Sequence, residues 1–131
     1  MIFEDNISAL KKCDPELADI IMSQGDSAEL DVVNTKSSMP SLRVNNLSIH
    51  SLYDPVKEAE AWVRHYEQEI NGSESIYVLG FGLGYHVLEL CKHTESPITI
   101  FEPRTDILRK ALETIDLTSI ISRIKIVTDN S

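Results

Sequence analysis

The chain has 131 residues, about the length of one domain. Its 12 basic and 21 acidic residues give a formal net charge of −9, and so negative a surface repels the phosphates of nucleic acids. No apolar run approaches the roughly 20 residues that span a bilayer, and the N-terminus carries no secretion signal. We therefore expect a cytoplasmic protein that binds neither nucleic acid nor membrane.

The first part of the chain is predicted to contain helices and a β-hairpin. The first 25 residues have a helical pattern, and Asp14, followed by a proline, is typical of a helix N-cap. Two β-branched segments, 29–35 and 41–51, lie on either side of the turn sequence KSSMP and predict the hairpin. Within the second segment, Asn45-Asn46 is expected to form a bend or a second turn.

A single longer helix is predicted over residues 54–72. Apolar residues recur there every three to four positions, and Asn71-Gly72 is a typical helix end. The apolar positions are Val56, Ala59, Val63, Tyr66 and Ile70. Trp62, the one tryptophan, lies off this stripe and is expected to pack against the hairpin or against a further domain.

After residue 75 short apolar strands alternate with helices. Strands are predicted at 76–79, 98–101 and 124–127, with helices at 84–92 and 105–115. This β-α-β-α-β order predicts a right-handed parallel sheet. The fold is therefore expected to be α/β: an N-terminal region of helices and hairpin in residues 1–72, then the first half of a Rossmann-like nucleotide-binding domain in 73–131.

A doubly wound sheet normally continues beside its first strand. Here that edge is expected to be covered by the hairpin, by a second copy of the chain in a homodimer, or by the remainder of a longer protein. We favour the last of these.

The sequence IYVLGFGLGYH, residues 76–86, contains the strongest candidate for a ligand site. Glycine permits a sharp turn between strand and helix, and its missing side chain lets a ligand approach the backbone at a helix N-terminus. Glu102 ends the next strand, where a carboxylate can accept hydrogen bonds from ribose hydroxyls. The predicted ligand-binding residues are Gly80, Gly82, Gly84, Tyr85, His86 and Glu102. The alternative is that the glycines serve only the turn.

The glycine spacing excludes two familiar nucleotide sites. A dinucleotide fingerprint would place a small residue where Tyr85 lies, and the Lys-Ser/Thr pair of a P-loop is missing. The spacing G-x-G-x-G resembles the first motif of S-adenosylmethionine-dependent methyltransferases. That resemblance implies a methyltransferase-like fold. Those enzymes usually carry an acid two residues before the first glycine, however, and this chain has Val78 there, which disfavours methyl transfer.

Three blocks in this order resemble the N-terminal region of the motility accessory factor (Maf) family. They are HSLYDPVKEAEAWV at 50–63, VLGFGLGYHVLEL at 78–90 and ITIFEP at 98–103. Maf proteins are linked to the transfer of nonulosonic, sialic-acid-like sugars onto flagellin. In that family the glycosyltransferase centre is attributed to a domain downstream of this region. The resemblance thus implies a non-catalytic domain whose partners are that downstream catalytic domain and flagellin.

Three hypotheses stay open for the ligand and the function. The cofactor is a nucleotide or CMP-sugar in the Maf interpretation, and S-adenosylmethionine if the chain is a methyltransferase-like enzyme. A third interpretation is a protein-interaction module whose glycine turn is empty. No catalytic residue is assigned, and His50, Ser51 and Asp54 are not taken as a triad. No metal site is predicted, and Cys13 and Cys91 are expected to be buried apolar residues.

Overall fold

The computed structural model describes residues 1–129. Its first part contains two helices and a small antiparallel sheet. The elements are α1 (Ile2–Cys13), α2 (Pro15–Ser23), β1 (Leu30–Asn34), β2 (Pro40–Val44) and β3 (Leu47–Ser48). The predicted cap of α2 is confirmed, because Asp14 Oδ1 accepts a hydrogen bond from the Leu17 N–H at 3.1 Å. The predicted second turn is also confirmed: Asn45 and Asn46 have φ of 51° and 69°, as in tight hairpin turns.

The helix predicted over 54–72 is divided in two, so that prediction is wrong in one respect. Helix α3 spans Pro55–His65 and helix α4 spans Glu67–Gly72, with Tyr66 between them at φ −103° and ψ 18°. Tyr66 is 43% exposed, and its ring packs on Trp62 and His65 instead of entering the core. The change of direction still brings Ile70 of α4 into the core.

The second part of the chain confirms the α/β prediction. A parallel sheet has the strand order β4-β5-β6, with β4 at one edge. Its elements are β4 (Ile76–Leu79), α5 (Tyr85–His93), β5 (Ile98–Phe101), α6 (Thr105–Thr114), a 3-10 turn (Ile121–Arg123) and β6 (Ile124–Val127). All three strands occupy the predicted residues, because each is a short apolar run bounded by turn residues.

The parallel sheet has one buried face and one bare face. On the buried face, residues such as Val78 and Ile100 join a core that includes side chains from α5 and α6. The alternate residues point the other way, and Tyr77 and Leu79 are 76% and 85% exposed. Phe101 and Val127 extend this bare face across β5 and β6.

A single hydrophobic core connects the two parts of the chain. Asn6 of α1 is fully buried: its side-chain amide donates to the carbonyls of Leu112 and Ile115, and its Oδ1 accepts from the Leu117 N–H. These bonds satisfy backbone groups at the end of α6 that lack helical partners. Cys13 is exposed, which corrects the expectation that both cysteines are buried.

Candidate functional site

The carboxyl edge of the parallel sheet brings together the predicted glycines and the predicted acid. Leu79 is in register with Phe101, so the residues that follow them, Gly80 and Glu102, lie side by side. Glu102 Oε1 accepts a hydrogen bond from the Phe81 N–H at 3.0 Å. The glycine loop, residues 80–84, is therefore in direct contact with the carboxylate, as the parallel register predicts.

Glu102 also has a structural task in this loop. Only 5% of the residue is exposed, and its Oε2 accepts from the Arg104 N–H at 3.1 Å. The carboxylate thereby holds the turn after β5 against the turn after β4. Each carboxylate oxygen has a second lone-pair site, so these two bonds leave acceptor capacity for a ligand.

The three glycines of the loop all have positive φ, but they make room for different groups. Gly80, at φ 88°, has no atom of residues 1–129 within 4 Å of the position that a Cβ would take. A Cβ on Gly82 would lie 2.6 Å from His50 Nε2, and one on Gly84 would lie 2.9 Å from Leu117 and Phe81. Only Gly80 leaves open space beside the loop, whereas Gly82 and Gly84 accommodate side chains of the protein itself.

His50 is a site residue that sequence reasoning missed. It follows the antiparallel sheet, is 4% exposed, and accepts the Leu83 N–H on Nε2 at 3.0 Å. Burial, reinforced by the neighbouring His86, lowers the pKa of His50 to about 4. The ring is therefore neutral at pH 7 with its proton on Nδ1, which has no hydrogen-bond partner among the described residues.

The aromatic side chains of His86 and Trp62 pack in sequence beside His50. The His86 ring stacks on His50 with centroids 5.8 Å apart, and Trp62 meets His86 edge-on at 4.9 Å. Burial lowers the pKa of His86, while the charge of Glu58 acts in the opposite direction. Trp62 is thus half-buried against the start of α5, and its packing against the hairpin or a further domain stays a prediction.

Tyr85 belongs to the packing between α5 and the hairpin. It is 3% exposed, and its hydroxyl donates to the Pro40 carbonyl at 2.5 Å. Burial raises the pKa of Tyr85 to about 12. Its ring meets His50 edge-on, with centroids 5.1 Å apart. Tyr85 therefore positions the residue that contacts the loop.

These elements enclose a cleft of about 320 Å³, the loop cleft, which is within the range of small-ligand sites. Four of the predicted site residues line it: Gly80, Gly82, His86 and Glu102. The other two, Gly84 and Tyr85, are not among its lining residues. The remaining lining residues are Ile49, His50, Trp62, Val78, Leu79, Phe81 and Ile107.

The other candidate residues have structural partners. Asp54 Oδ1 accepts the Lys57 N–H at 3.0 Å, which confirms it as the N-cap of α3. Ser51 Oγ accepts from the backbone of Tyr53 and Asp54. Residues 1–129 hold no group of three or more metal-ligating side chains placed to share an ion. Within the same residues, no helix has the length and apolar character needed to cross a membrane.

Comparison with known proteins identifies the family. The model of the glycosyltransferase Maf N-terminal domain matches residues 25–130, from the segment after α2 through the whole parallel sheet. No curated protein and no solved structure matches the chain. Because the family match covers most of its length, this chain belongs to the glycosyltransferase Maf N-terminal domain family and has a role in glycosylation.

Proposed function

We propose that this domain is a non-catalytic part of a Maf-type protein that transfers a nonulosonic, sialic-acid-like sugar onto flagellin. In this proposal the loop cleft binds a nucleotide or nucleotide-sugar. The observation that carries the binding role is the pairing of Gly80, which has open space beside it, with the Glu102 carboxylate that lines the cleft. That arrangement is typical of ribose recognition at the carboxyl edge of a parallel sheet.

The lining of the cleft supports binding more than catalysis. The side chains that line it, all within residues 1–129, include no serine, cysteine or lysine nucleophile. One ring nitrogen of His50 accepts the Leu83 N–H, so it is not free to act as a base. We therefore place the glycosyltransferase centre in another part of the Maf protein.

The bare face of the parallel sheet supports a docking role. Parallel sheets are normally covered on both faces, yet Tyr77 and Leu79 are largely exposed here. We propose that the catalytic part of the Maf protein covers this face and the free edge of β4. A homodimer through the same edge is less favourable, because each copy carries a net charge of −9.

The docking role is tested with a chain that also carries the catalytic part of the Maf protein. In that chain the backbone amides of Tyr77 and Leu79 should be protected from hydrogen exchange. The matched control is the 131-residue chain, in which these amides should exchange quickly. Equal exchange in the two chains would refute docking at this edge.

The binding role is tested by titrating the chain with CMP, a CMP-linked sugar and S-adenosylmethionine. Trp62 is the one tryptophan and contacts His86, so its fluorescence should report an occupied cleft. Saturable change with CMP or the CMP-sugar, together with a higher melting temperature, supports the proposal. A response to S-adenosylmethionine alone would favour the methyltransferase-like alternative.

A protein-interaction module is the second candidate. The side chains of His50, Leu117 and Phe81 occupy the space beside Gly82 and Gly84. This observation favours the interaction module, since a turn can need glycine for its own packing alone. A chain that responds to none of the three ligands would leave this candidate in place.

A further inference from the structure

The charges around the loop cleft are unusual for a site that would hold phosphate. Among the lining residues, all within 1–129, Glu102 is the one acidic side chain, and neither lysine nor arginine is present. His50 and His86 add no positive charge, because burial lowers the pKa of both imidazoles. Arg104 follows the same strand as Glu102, but its guanidinium is paired with Glu29 and Asp106, each at 2.7 Å.

Within residues 1–129, most backbone N–H groups of the glycine loop are also already paired, and the Gly82 N–H is the exception. Loops that bind phosphate direct several free N–H groups at it. Here four of the five N–H groups of residues 80–84 already have acceptors within the protein. The pairs are Gly80 with the Phe101 carbonyl, Phe81 with Glu102, Leu83 with His50, and Gly84 with the Phe81 carbonyl.

What the cleft does offer fits an uncharged, hydroxyl-bearing ring system. Val78, Leu79 and Ile107 supply apolar surface, and Trp62 and His86 supply aromatic surface for a base. Glu102 retains acceptor sites that suit ribose hydroxyls. His50 also lines the cleft, and its buried Nδ1–H lacks an acceptor among the described residues.

We infer that the loop cleft recognises the neutral nucleoside end of its ligand and leaves phosphate groups outside. This inference rests on the proposed nucleotide binding. It makes the cleft unlike an ordinary phosphate cradle, since the Glu102 carboxylate opposes an anion there and most of the loop N–H groups are already paired. A nucleotide-sugar would then be held by its base and ribose, with the phosphate and sugar left to another surface.

The test compares each nucleoside with its 5′-monophosphate on the 131-residue chain by isothermal titration calorimetry. The two pairs are cytidine with CMP and adenosine with AMP. The affinities of the nucleoside and the monophosphate are compared within the pair that binds more tightly. The nucleoside should bind at least as tightly as the monophosphate. A monophosphate that binds about tenfold more tightly, the equivalent of 1.4 kcal/mol, would overturn this inference and leave the proposed function intact. If none of the four ligands binds, the inference and the proposed nucleotide binding both fail.

Ionic strength gives a second measurement that needs no variant. Raising it from about 0.02 to about 0.2 M shortens the Debye length from about 20 to about 7 Å. Because the phosphate is repelled in this interpretation, monophosphate affinity should rise relative to nucleoside affinity. A relative fall would mean that the phosphate is attracted, which contradicts the inference.

Glu102→Gln then tests the charge itself. Gln keeps one oxygen that can accept the Phe81 N–H, while its amide NH2 replaces the oxygen that accepts from the Arg104 N–H. In this variant the ratio of monophosphate affinity to nucleoside affinity should rise about three- to tenfold. Glu95→Gln is the matched control, since Glu95 is exposed in the loop that leads into β5, at the other end of the sheet from the cleft. An equal shift in both variants would overturn the role of Glu102.

Discussion

The imidazole of His50 fills the space that Gly82 leaves in the loop. A Cβ on residue 82 would approach His50 Nε2 to 2.6 Å, and this same nitrogen accepts the N–H of the following residue, Leu83. The contact joins the end of the antiparallel sheet to the turn after β4. It also means that one glycine of the loop can be explained without any ligand.

Gly82→Ala should destabilise the chain by about 2–4 kcal/mol, because the new methyl group meets a buried ring as well as an unfavourable positive φ. Gly80→Ala is the matched control: its φ of 88° is also unfavourable, but nothing lies within 4 Å of the new Cβ. Its cost should stay near 1 kcal/mol. Urea denaturation measures both values. Equal losses of stability in the two variants would show that the contact with His50 is unimportant. The double variant with Gly82→Ala and His50→Ala should recover part of the stability that Gly82→Ala alone loses.

Stability should fall as the pH is lowered from about 6.5 to about 4 through the protonation of His50. The pKa of His50 is about 4 in the folded chain, whereas the ordinary value for a histidine side chain is 6.5. The unfolded chain therefore binds more protons than the folded chain in this window. The contribution of neutral His50 to the free energy of unfolding is complete above pH 6.5 and is lost as the pH approaches 4. The loss should be about 2–4 kcal/mol.

Carboxylates and His86 titrate in an overlapping window, so the His50 part is obtained by difference. Urea denaturation at several pH values should show a shallower slope for His50→Gln than for the unchanged chain. His65→Gln is the control, because His65 is an exposed histidine at the end of α3. If the slope of His50→Gln equals that of the control, His50 is not held neutral by the fold.

Asn6→Ala should cost about 2–4 kcal/mol of stability. The substitution leaves the buried N–H of Leu117 and the carbonyls of Leu112 and Ile115 without their side-chain partner. Asn71→Ala, in the exposed end of α4, is the control and should change stability by less than about 0.5 kcal/mol. Similar midpoints in urea for the two variants would contradict the role of Asn6 in joining α1 to α6.

Glu102→Ala should weaken a ligand that binds in the loop cleft by about 1–3 kcal/mol, the usual effect of removing a charged acceptor. It should also lower the melting temperature without ligand, because the Phe81 and Arg104 N–H groups lose their acceptor. Calorimetric titration with cytidine or CMP gives the first value and thermal unfolding the second. Unchanged affinity in a folded Glu102→Ala chain would remove Glu102 from the binding site.

The strands and the position of Glu102 could be predicted from sequence because they depend on local patterns. Residues 76–79, 98–101 and 124–127 are short apolar runs, and parallel register places the residues after them at one edge. The break at Tyr66 was missed because two consecutive helices can share one apolar period. His50 and Asn6 were missed because their partners lie 33 and more than 100 residues along the chain, where no spacing rule applies.

The antiparallel sheet has a consequence for how this chain can be divided. The Tyr85 hydroxyl donates to the Pro40 carbonyl, and the Ser41 hydroxyl donates to the His50 carbonyl. These hydrogen bonds connect the hairpin to His50 and to the start of α5. A shortened protein that starts at residue 73 would keep every strand of the parallel sheet but lose Ile49, His50 and Trp62 from the lining of the loop cleft. A recombinant unit that keeps the complete lining must therefore include the segment from β1 onward.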